Sequence, residues 1–236
     1  MNPPPPAVDG GAPKARPVSP GPRPERLVLV VGTATEVGKT HLCCRLLEHA
    51  RQRGVRVAAR KPAQSFEDHE RGGTDAELLA RASSEPVDAV CPPHRWYSTP
   101  MAPPMASDRL GLSPIRLADL ASELTWPTDV VDLGFVETAG GVRSPLAHDG
   151  DAADLARLLD PDVILLVSDA GLGTLNSTLL SAGAMEPTGV RLVVALNHFD
   201  PREELHRLNF EWLTAAGIEA IDAGELDLVL EAIRTP

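Results

Sequence analysis

The sequence predicts a three-layer α/β domain in which a mostly parallel β-sheet is covered by helices on both faces. Short runs that are almost wholly apolar alternate with stretches whose apolar residues recur at helical spacing. Strands that are apolar throughout are buried on both faces, and parallel strands need the crossover connections that helices supply. The 236 residues, of which 43% are hydrophobic, suffice for one such domain with a full core.

The elements follow from these two patterns. The predicted strands cover residues 27–31, 55–59, 130–136, 162–167, 190–196 and, more weakly, 218–221. The predicted helices cover residues 40–53, 74–82, 117–124, 152–159, 174–185, 203–216 and 225–233. Gly54 is placed to end the first helix. The proline-dense residues 86–104 predict a long loop.

Residues 1–26 differ in composition from the rest of the chain. They contain nine of the 23 prolines together with Gly10, Gly11 and Gly21. Such a segment cannot bury enough apolar surface to offset the entropy lost on ordering. We therefore expect a disordered tail before a single domain at 27–236. The tail is a dispensable extension or a Pro-rich docking arm.

Composition and charge exclude several classes of function. The formal charge of −11 leaves no room for a large basic face, and only 3% of residues are aromatic, so no nucleic-acid partner is expected. No apolar run approaches the roughly 18 residues that cross a membrane, and no signal-peptide pattern opens the chain. Cys43, Cys44 and Cys91 lack disulfide or zinc spacing, which indicates a cytoplasmic protein.

The most specific motif is GTATEVGKT, from Gly32 to Thr40. It lies between the first predicted strand and the first predicted helix, which is the context that a phosphate-binding P-loop requires. Free amides at the helix start bind oxyanions, Lys39 would reach the β- and γ-phosphates, and the Thr40 hydroxyl would bind Mg²⁺. The motif therefore predicts a nucleoside triphosphate site in a P-loop NTPase-type fold, although Gly32 and Gly38 are one residue further apart than usual.

Polar side chains follow the strands at the edge where parallel sheets bind ligands. Lys61 follows the second predicted strand and could neutralise an oxyanion, either a phosphoryl group or a carboxylated substrate. Glu137 ends an apolar strand where a Walker-B-type acid would hold Mg²⁺. Thr40, Asp75 and Glu137 could form the metal site, although the helix dipole alone would also explain an acid at Asp75.

Asn197 follows the fifth predicted strand. Its amide could pair with a nucleotide base, or it could form an Asx turn, and the sequence favours neither. A regulatory NTPase is a competing function for a P-loop protein. However, residues 197–200 lack the lysine of a guanine-recognition motif, and the P-loop lacks the additional early lysine of partitioning proteins.

Taken together, these motifs resemble those of the dethiobiotin synthetase family. The resemblance covers residues 27–197 and rests on GTATEVGKT, KPAQS from Lys61, ETAGG from Glu137, LGTLN from Leu172, and Asn197. It implies an ATP-dependent ligase that carboxylates 7,8-diaminopelargonate with CO₂ and closes a ureido ring through a carbamic–phosphoric anhydride. ATP as co-substrate, Mg²⁺, a homodimer and a role in biotin synthesis are implied with it.

The resemblance also implies roles for individual residues. Catalytic contacts with phosphate and carbamate would come from Thr35, Lys39, Lys61 and Ser65. The nucleotide would be bound by Glu36, Val37, Gly38, Lys39, Thr40 and, at the base, Asn197. Mg²⁺ would be held by Thr40, Asp75 and Glu137. The substrate would contact Lys61, Ser65, Gly140, Gly141 and, through its distal carboxylate, the backbone of the neighbouring subunit's Thr174, Leu175 and Asn176.

Some positions depart from the family pattern, namely Ala34, Phe66, Thr138 and Ser177. We expect Phe66 and Thr138 to add side chains beside the substrate channel. This favours an alternative in which a related ligase or cyclase acts on a different amine. A nucleotide-binding pseudoenzyme is less consistent with the sequence, because the phosphate-binding and metal-binding residue types are retained.

Overall fold

The computed structural model describes residues 22–67 and 73–235. The strands are β1 (Arg26–Gly32), β2 (Val57–Arg60), β3 (Gln64–Ser65), β4 (Trp96–Tyr97), β5 (Leu133–Glu137), β6 (Val163–Asp169), β7 (Leu192–Asn197) and β8 (Ala220–Asp222). Six of them form a parallel sheet in the order β2-β5-β1-β6-β7-β8, and β3 pairs with β4 in a separate parallel ladder. The predicted α/β fold class is confirmed.

Helices cover both faces of the large sheet. They are α1 (Lys39–Gln52), α2 (Asp75–Ser83), α3 (Val87–Val90), α4 (Pro103–Arg109), α5 (Leu117–Ser122), α6 (Ala152–Leu159), α7 (Thr174–Met185), α8 (Glu204–Ala215) and α9 (Leu226–Arg234). Val28 and Val30 pack in one apolar cluster with α1, α2 and α9, whereas Leu29 and Val31 pack in the other with α5 to α8. Along the described ranges, no helix combines the length and apolarity needed to cross a bilayer.

The stretch 86–104 is not the long loop that its prolines predict. It contains α3, β4 and the beginning of α4. Pro103 and Pro104 occupy the first turn of α4. Their missing N–H groups cost nothing there, because the first turn of a helix leaves those donors unpaired in any case. The prolines therefore start a helix instead of excluding one.

The predicted tail also ends too late in the sequence. Pro24 is buried, and Arg23 donates a 2.9 Å hydrogen bond to the carboxylate of Asp162. Residues 22–26 thus belong to the folded domain, and the last of them begins β1. The rest of the predicted disordered tail, residues 1–21, lies outside the described residues.

Candidate active site

Three adjacent strands deliver site residues to one edge of the sheet. β5 lies between β2 and β1. Gly32 ends β1, Glu137 ends β5, and Lys61 directly follows β2. Because parallel strands end at the same edge, residues that are far apart in sequence meet beside the P-loop.

The P-loop depends on a glycine immediately before α1. Gly38 has a φ of 88°, in the left-handed region. A Cβ at this position would lie 2.0 Å from the side-chain nitrogen of Asn197. Both observations require glycine. Glu36 also has a positive φ, 62°, so the loop carries backbone strain at a residue other than glycine.

Lys39 lies beneath the P-loop and is almost fully buried. Its Nζ donates a 3.0 Å hydrogen bond to the backbone carbonyl of Ala34 within the same loop. Burial, and next the positive charge of Lys61, lower the pKa of Lys39 to about 8. A phosphate bound at the loop would favour the charged form again.

Lys61, Asp75, Glu137 and Thr40 form one hydrogen-bonded cluster. Lys61 Nζ donates bonds of 2.6 Å to Asp75 Oδ2 and 2.6 Å to Glu137 Oε1. Thr40 Oγ1 lies 2.8 Å from Asp75 Oδ1 and 2.8 Å from Glu137 Oε1, and its single proton can serve one of them at a time. The side chain of Glu137 is 0% exposed and that of Asp75 is 42% exposed, so the cluster opens on the Asp75 side.

The charges in this cluster stabilise one another. Burial disfavours the ammonium of Lys61, but the carboxylates of Glu137 and Asp75 outweigh burial and raise the pKa of Lys61 above its ordinary value. Burial likewise opposes ionisation of Asp75, yet Lys61 and the hydrogen bond from Thr40 hold the pKa of Asp75 below its usual range. At neutral pH an ammonium therefore faces an ionised Asp75.

The cluster offers the oxygen ligands that bind a divalent cation when that cation also contacts a nucleotide. Glu137 Oε2 is buried without a hydrogen-bond partner, which is costly for a carboxylate oxygen unless a cation or a proton satisfies it. Mg²⁺ prefers one or two carboxylates, a hydroxyl and phosphate oxygens. Across residues 22–67 and 73–235, no group of three or more His, Cys, Asp or Glu could hold a metal alone. The residues present therefore fit a metal that completes its coordination with water and, when a nucleotide is bound, with phosphate.

A cleft of about 810 Å³ lies above this cluster. Its apolar lining comprises Pro100, Met101, Ala102, Pro103 and Ala139. The remaining lining includes these predicted site residues: Thr35, Glu36, Gly38, Lys39, Thr40, Lys61, Ser65, Asp75 and Gly140. The structure thus gathers most of the predicted set around one cavity, with Glu137 beneath it.

Asn197 contacts the P-loop through Val37, a residue of the loop itself. The Asn197 side-chain amide is buried and donates a 3.0 Å hydrogen bond to the backbone carbonyl of Val37. Along residues 73–235, the structure gives the Asn197 side-chain oxygen no hydrogen bond from a following backbone N–H, so the Asx-turn interpretation is wrong. Neither residue lines the cleft. Contact between Asn197 and a base stays a prediction.

Gly141 and the start of α7 lie outside the cleft of their own chain. Gly141 lines a neighbouring pocket of about 470 Å³. Thr174 is buried and shares a hydrogen bond with the Ser168 hydroxyl, Leu175 is half-buried, and Asn176 is exposed. The predicted role of Thr174, Leu175 and Asn176 concerns a neighbouring subunit, and it stays a prediction.

The expectation that Phe66 and Thr138 add side chains beside the substrate channel is wrong for the cleft that holds the predicted site residues. The Phe66 ring packs edge-on against Trp96, with centroids 6.1 Å apart and planes at 84°. Thr138 is fully buried, and its hydroxyl donates to the carbonyl of Val30 at 3.2 Å. Neither side chain lines the cleft.

Gln64 is a site residue that the sequence did not single out. Its Oε1 accepts a 2.9 Å hydrogen bond from the backbone N–H of Ala76, and its Nε2 donates to the Thr74 hydroxyl at 3.4 Å. Gln64 is buried and lines the cleft. It fixes the first turn of α2 and so positions Asp75. The only signal was its place within the KPAQS segment.

Comparison with known proteins places this site in a family. A family model described as an AAA domain matches residues 26–221. The chain is 39% identical over 185 residues to the ATP-dependent dethiobiotin synthetase BioD of Anaeromyxobacter sp. (strain K), which spans 76% of this chain and 79% of the relative. It is 40% identical over 165 residues to BioD of Rhodococcus jostii (strain RHA1), spanning 70% and 69%.

A solved structure supports the fold. The DUF1611 family protein from Anabaena variabilis superimposes with a TM-score of 0.51 at 18% sequence identity. The match covers 88% of this chain but only 57% of that one, so it supports the architecture alone. The identity to the curated relatives extends over more than two thirds of both chains, so the chain belongs to the dethiobiotin synthetase family.

Proposed function

We propose that this protein is an ATP-dependent dethiobiotin synthetase that converts 7,8-diaminopelargonate, CO₂ and ATP into dethiobiotin, ADP and phosphate. The observation that carries the proposal is the cluster of Thr40, Lys61, Asp75 and Glu137 at the phosphate end of the cleft. It joins a P-loop to a lysine that faces the cavity. The relatives' printed name, ATP-dependent dethiobiotin synthetase, supports the same reaction.

The P-loop would hold the triphosphate. The amides at the start of α1 and the side chains of Lys39 and Thr35 would contact phosphate oxygens. Thr40, Asp75 and Glu137 would hold Mg²⁺, which neutralises charge on the phosphates when it is bound. In this arrangement Gly38 lets the backbone approach the nucleotide closely.

Lys61 and Ser65 would hold the carbamate that forms when one amine adds to CO₂ and loses a proton. A carbamate oxygen then attacks the γ-phosphorus, and ADP leaves. The second amine attacks the carbamate carbon, expels phosphate and loses a proton as the ring closes. These steps need positioning and positive charge more than a protein nucleophile, which matches the residues lining the cleft.

The apolar lining of the cleft suits the aliphatic chain of such a diamine. Pro100, Met101 and Ala102 supply apolar lining in the same cleft as the charged cluster. Apolar surface beside a few placed polar groups is the usual character of small-molecule sites. Neither Phe66 nor Thr138 is among the described residues that line the cleft, so the two positions that suggested a different amine do not alter that lining.

A homodimer in the cytoplasm completes the proposal. The start of α7 would offer backbone amides to the distal carboxylate of the substrate in the neighbouring cleft. Leu172 and Leu180 beside it are 93% and 68% exposed, as expected of residues that a second subunit would cover. The three cysteines are free, which suits a reducing compartment.

Product analysis by mass spectrometry tests the reaction. The protein would be incubated with 7,8-diaminopelargonate, bicarbonate, Mg²⁺ and each nucleoside triphosphate in turn. We expect dethiobiotin and one nucleoside diphosphate per product. A Lys61→Met variant should still bind nucleotide but lose about 10²-fold or more in turnover, because it lacks the cation facing the reacting oxyanions. Bound nucleotide without product from the unaltered protein would contradict the proposal.

A further inference from the structure

We infer that Lys61 and a divalent cation compete for the same two carboxylates. In the nucleotide-free protein the Lys61 ammonium holds Asp75 and Glu137, and it leaves them when the metal binds. This inference rests on the metal site of the proposed function. The inference goes beyond that site in one respect: Lys61 becomes available to the substrate only after the metal has bound.

The first argument is that the ammonium already occupies the predicted metal ligands. Lys61 Nζ lies 2.6 Å from Asp75 Oδ2 and 2.6 Å from Glu137 Oε1. The same Oε1 lies 2.8 Å from the Thr40 hydroxyl. Mg²⁺ binds oxygen at about 2.0–2.1 Å. A metal that satisfies the unpartnered Glu137 Oε2 would lie beside the Oε1 of the same carboxylate, which the ammonium contacts.

The second argument concerns charge in a buried place. Lys61 and Glu137 have side-chain exposures of 2% and 0%, so water screens little of the repulsion between an ammonium and a nearby dication. Sharing Glu137 Oε1 between the two cations would be unfavourable. Displacing the ammonium removes the repulsion, and the metal then supplies the positive charge that the carboxylates require.

The third argument is that the displaced side chain has a place to go. Lys61 and Ser65 both line the cleft. A lysine stem has several rotatable bonds and can move its ammonium without moving the backbone. Movement from the carboxylates into the cleft would bring the charge beside Ser65, where the carbamate is proposed to lie. Metal binding and substrate binding would then be coupled through one side chain.

Lys39 provides a matched comparison within the same cavity. It is also buried and also lines the cleft. Its Nζ, however, donates to the carbonyl of Ala34 and to neither carboxylate. If Lys61 acts by occupying the metal ligands, removing the Lys39 charge should change metal affinity much less.

The experiment measures Mg²⁺ binding by calorimetry and by thermal unfolding, with no nucleotide and no diamine present. The proteins are the full chain, Lys61→Met, Lys61→Gln and Lys39→Met. We expect each Lys61 variant to bind Mg²⁺ about tenfold or more tightly than the unaltered chain, and Lys39→Met to stay within about threefold of it. Lys61→Met should unfold at a lower temperature in chelator, because its carboxylates lose their partner, and Mg²⁺ should restore the midpoint.

Equal or weaker Mg²⁺ binding by the Lys61 variants would overturn the inference. So would equal gains in Lys61→Met and Lys39→Met, which would indicate general repulsion and not competition for ligands. If Lys61→Met folds only when Mg²⁺ is added, the inference is supported. The Mg²⁺ affinity is then measured on Lys61→Gln, which retains a hydrogen-bond donor. Dethiobiotin formation by the unaltered chain is measured separately. Failure of the proposed function can therefore be distinguished from failure of the competition between Lys61 and Mg²⁺.

Discussion

The side-chain nitrogen of Asn197 fills the space that a Cβ on Gly38 would need, since the two would be 2.0 Å apart. The same nitrogen donates a 3.0 Å hydrogen bond to the carbonyl of Val37. The end of β7 therefore supports the P-loop from behind, across 160 residues of sequence. The shape of the phosphate site depends on this contact as well as on the loop's own residues.

A double-mutant cycle between Gly38 and Asn197 should show this dependence. Gly38→Ala should destabilise the protein by about 1–3 kcal/mol, because the new methyl collides with Asn197 and the left-handed φ is strained. Asn197→Ala should cost a similar amount, because it leaves the Val37 carbonyl without its donor. The double variant should cost less than the sum, because the collision is gone. Urea unfolding of the four proteins measures the coupling, and strictly additive costs would contradict the contact.

Glu137→Gln should separate metal binding from nucleotide binding. The variant keeps the volume of the side chain but removes the charge that faces Thr40 and Lys61. We expect nucleotide affinity in Mg²⁺ to fall about tenfold or more, while affinity in chelator changes little. Glu123→Gln is the matched control, because Glu123 pairs with Arg95 and does not line the cleft. An unchanged Mg²⁺ dependence would remove Glu137 from the metal site.

The charged residues of the site were predictable from sequence because each depends on local position. Lys61 follows β2, Glu137 ends β5, Thr40 lies two residues after Gly38, and a parallel sheet gathers strand ends at one edge. The direction of Phe66 was not predictable. It depends on the pairing of β3 with β4, and two-residue strands are too short to leave a periodic pattern.

The roles of Gln64 in holding α2 and of Asn197 in holding the P-loop were likewise not predictable, because they depend on long-range side-chain contacts. Gln64 accepts from a backbone N–H 12 residues away, and Asn197 donates to a carbonyl 160 residues away. A motif names the residue types at such positions but not their partners. Contact between Asn197 and a base stays a prediction, and the structure shows that the Asn197 amide also has a partner within the protein.

Gln64 variants should distinguish positioning from simple packing. Gln64→Leu removes the acceptor for the Ala76 N–H, so α2 should begin less firmly and Asp75 should be less well placed. We expect a stability loss of about 1–2 kcal/mol and weaker Mg²⁺-dependent nucleotide binding. Gln64→Glu keeps an acceptor for that N–H and should recover most of the nucleotide affinity. Equal losses of affinity in both variants would mean that the hydrogen bond to α2 does not position Asp75.

Nucleotide affinity should fall as the pH rises through about 8, because Lys39 loses its proton there in the nucleotide-free protein. Burial and the Lys61 charge depress this pKa, and bound phosphate opposes both, so binding takes up a proton above that pH. The same depression makes the unfolded chain bind more protons than the folded one between about pH 8 and 10.5, so in that window the Lys39 contribution to stability rises with pH.

Measuring ATP affinity between about pH 7.5 and 9.5 tests this assignment. The unaltered chain should lose up to about tenfold in affinity for each pH unit above 8. Lys39→Arg should bind more weakly at pH 7.5, because the guanidinium does not fit the Lys39 position beneath the loop, but its affinity should stay flat, because arginine does not titrate in this range. A decline of equal slope in Lys39→Arg would assign the titration to another group.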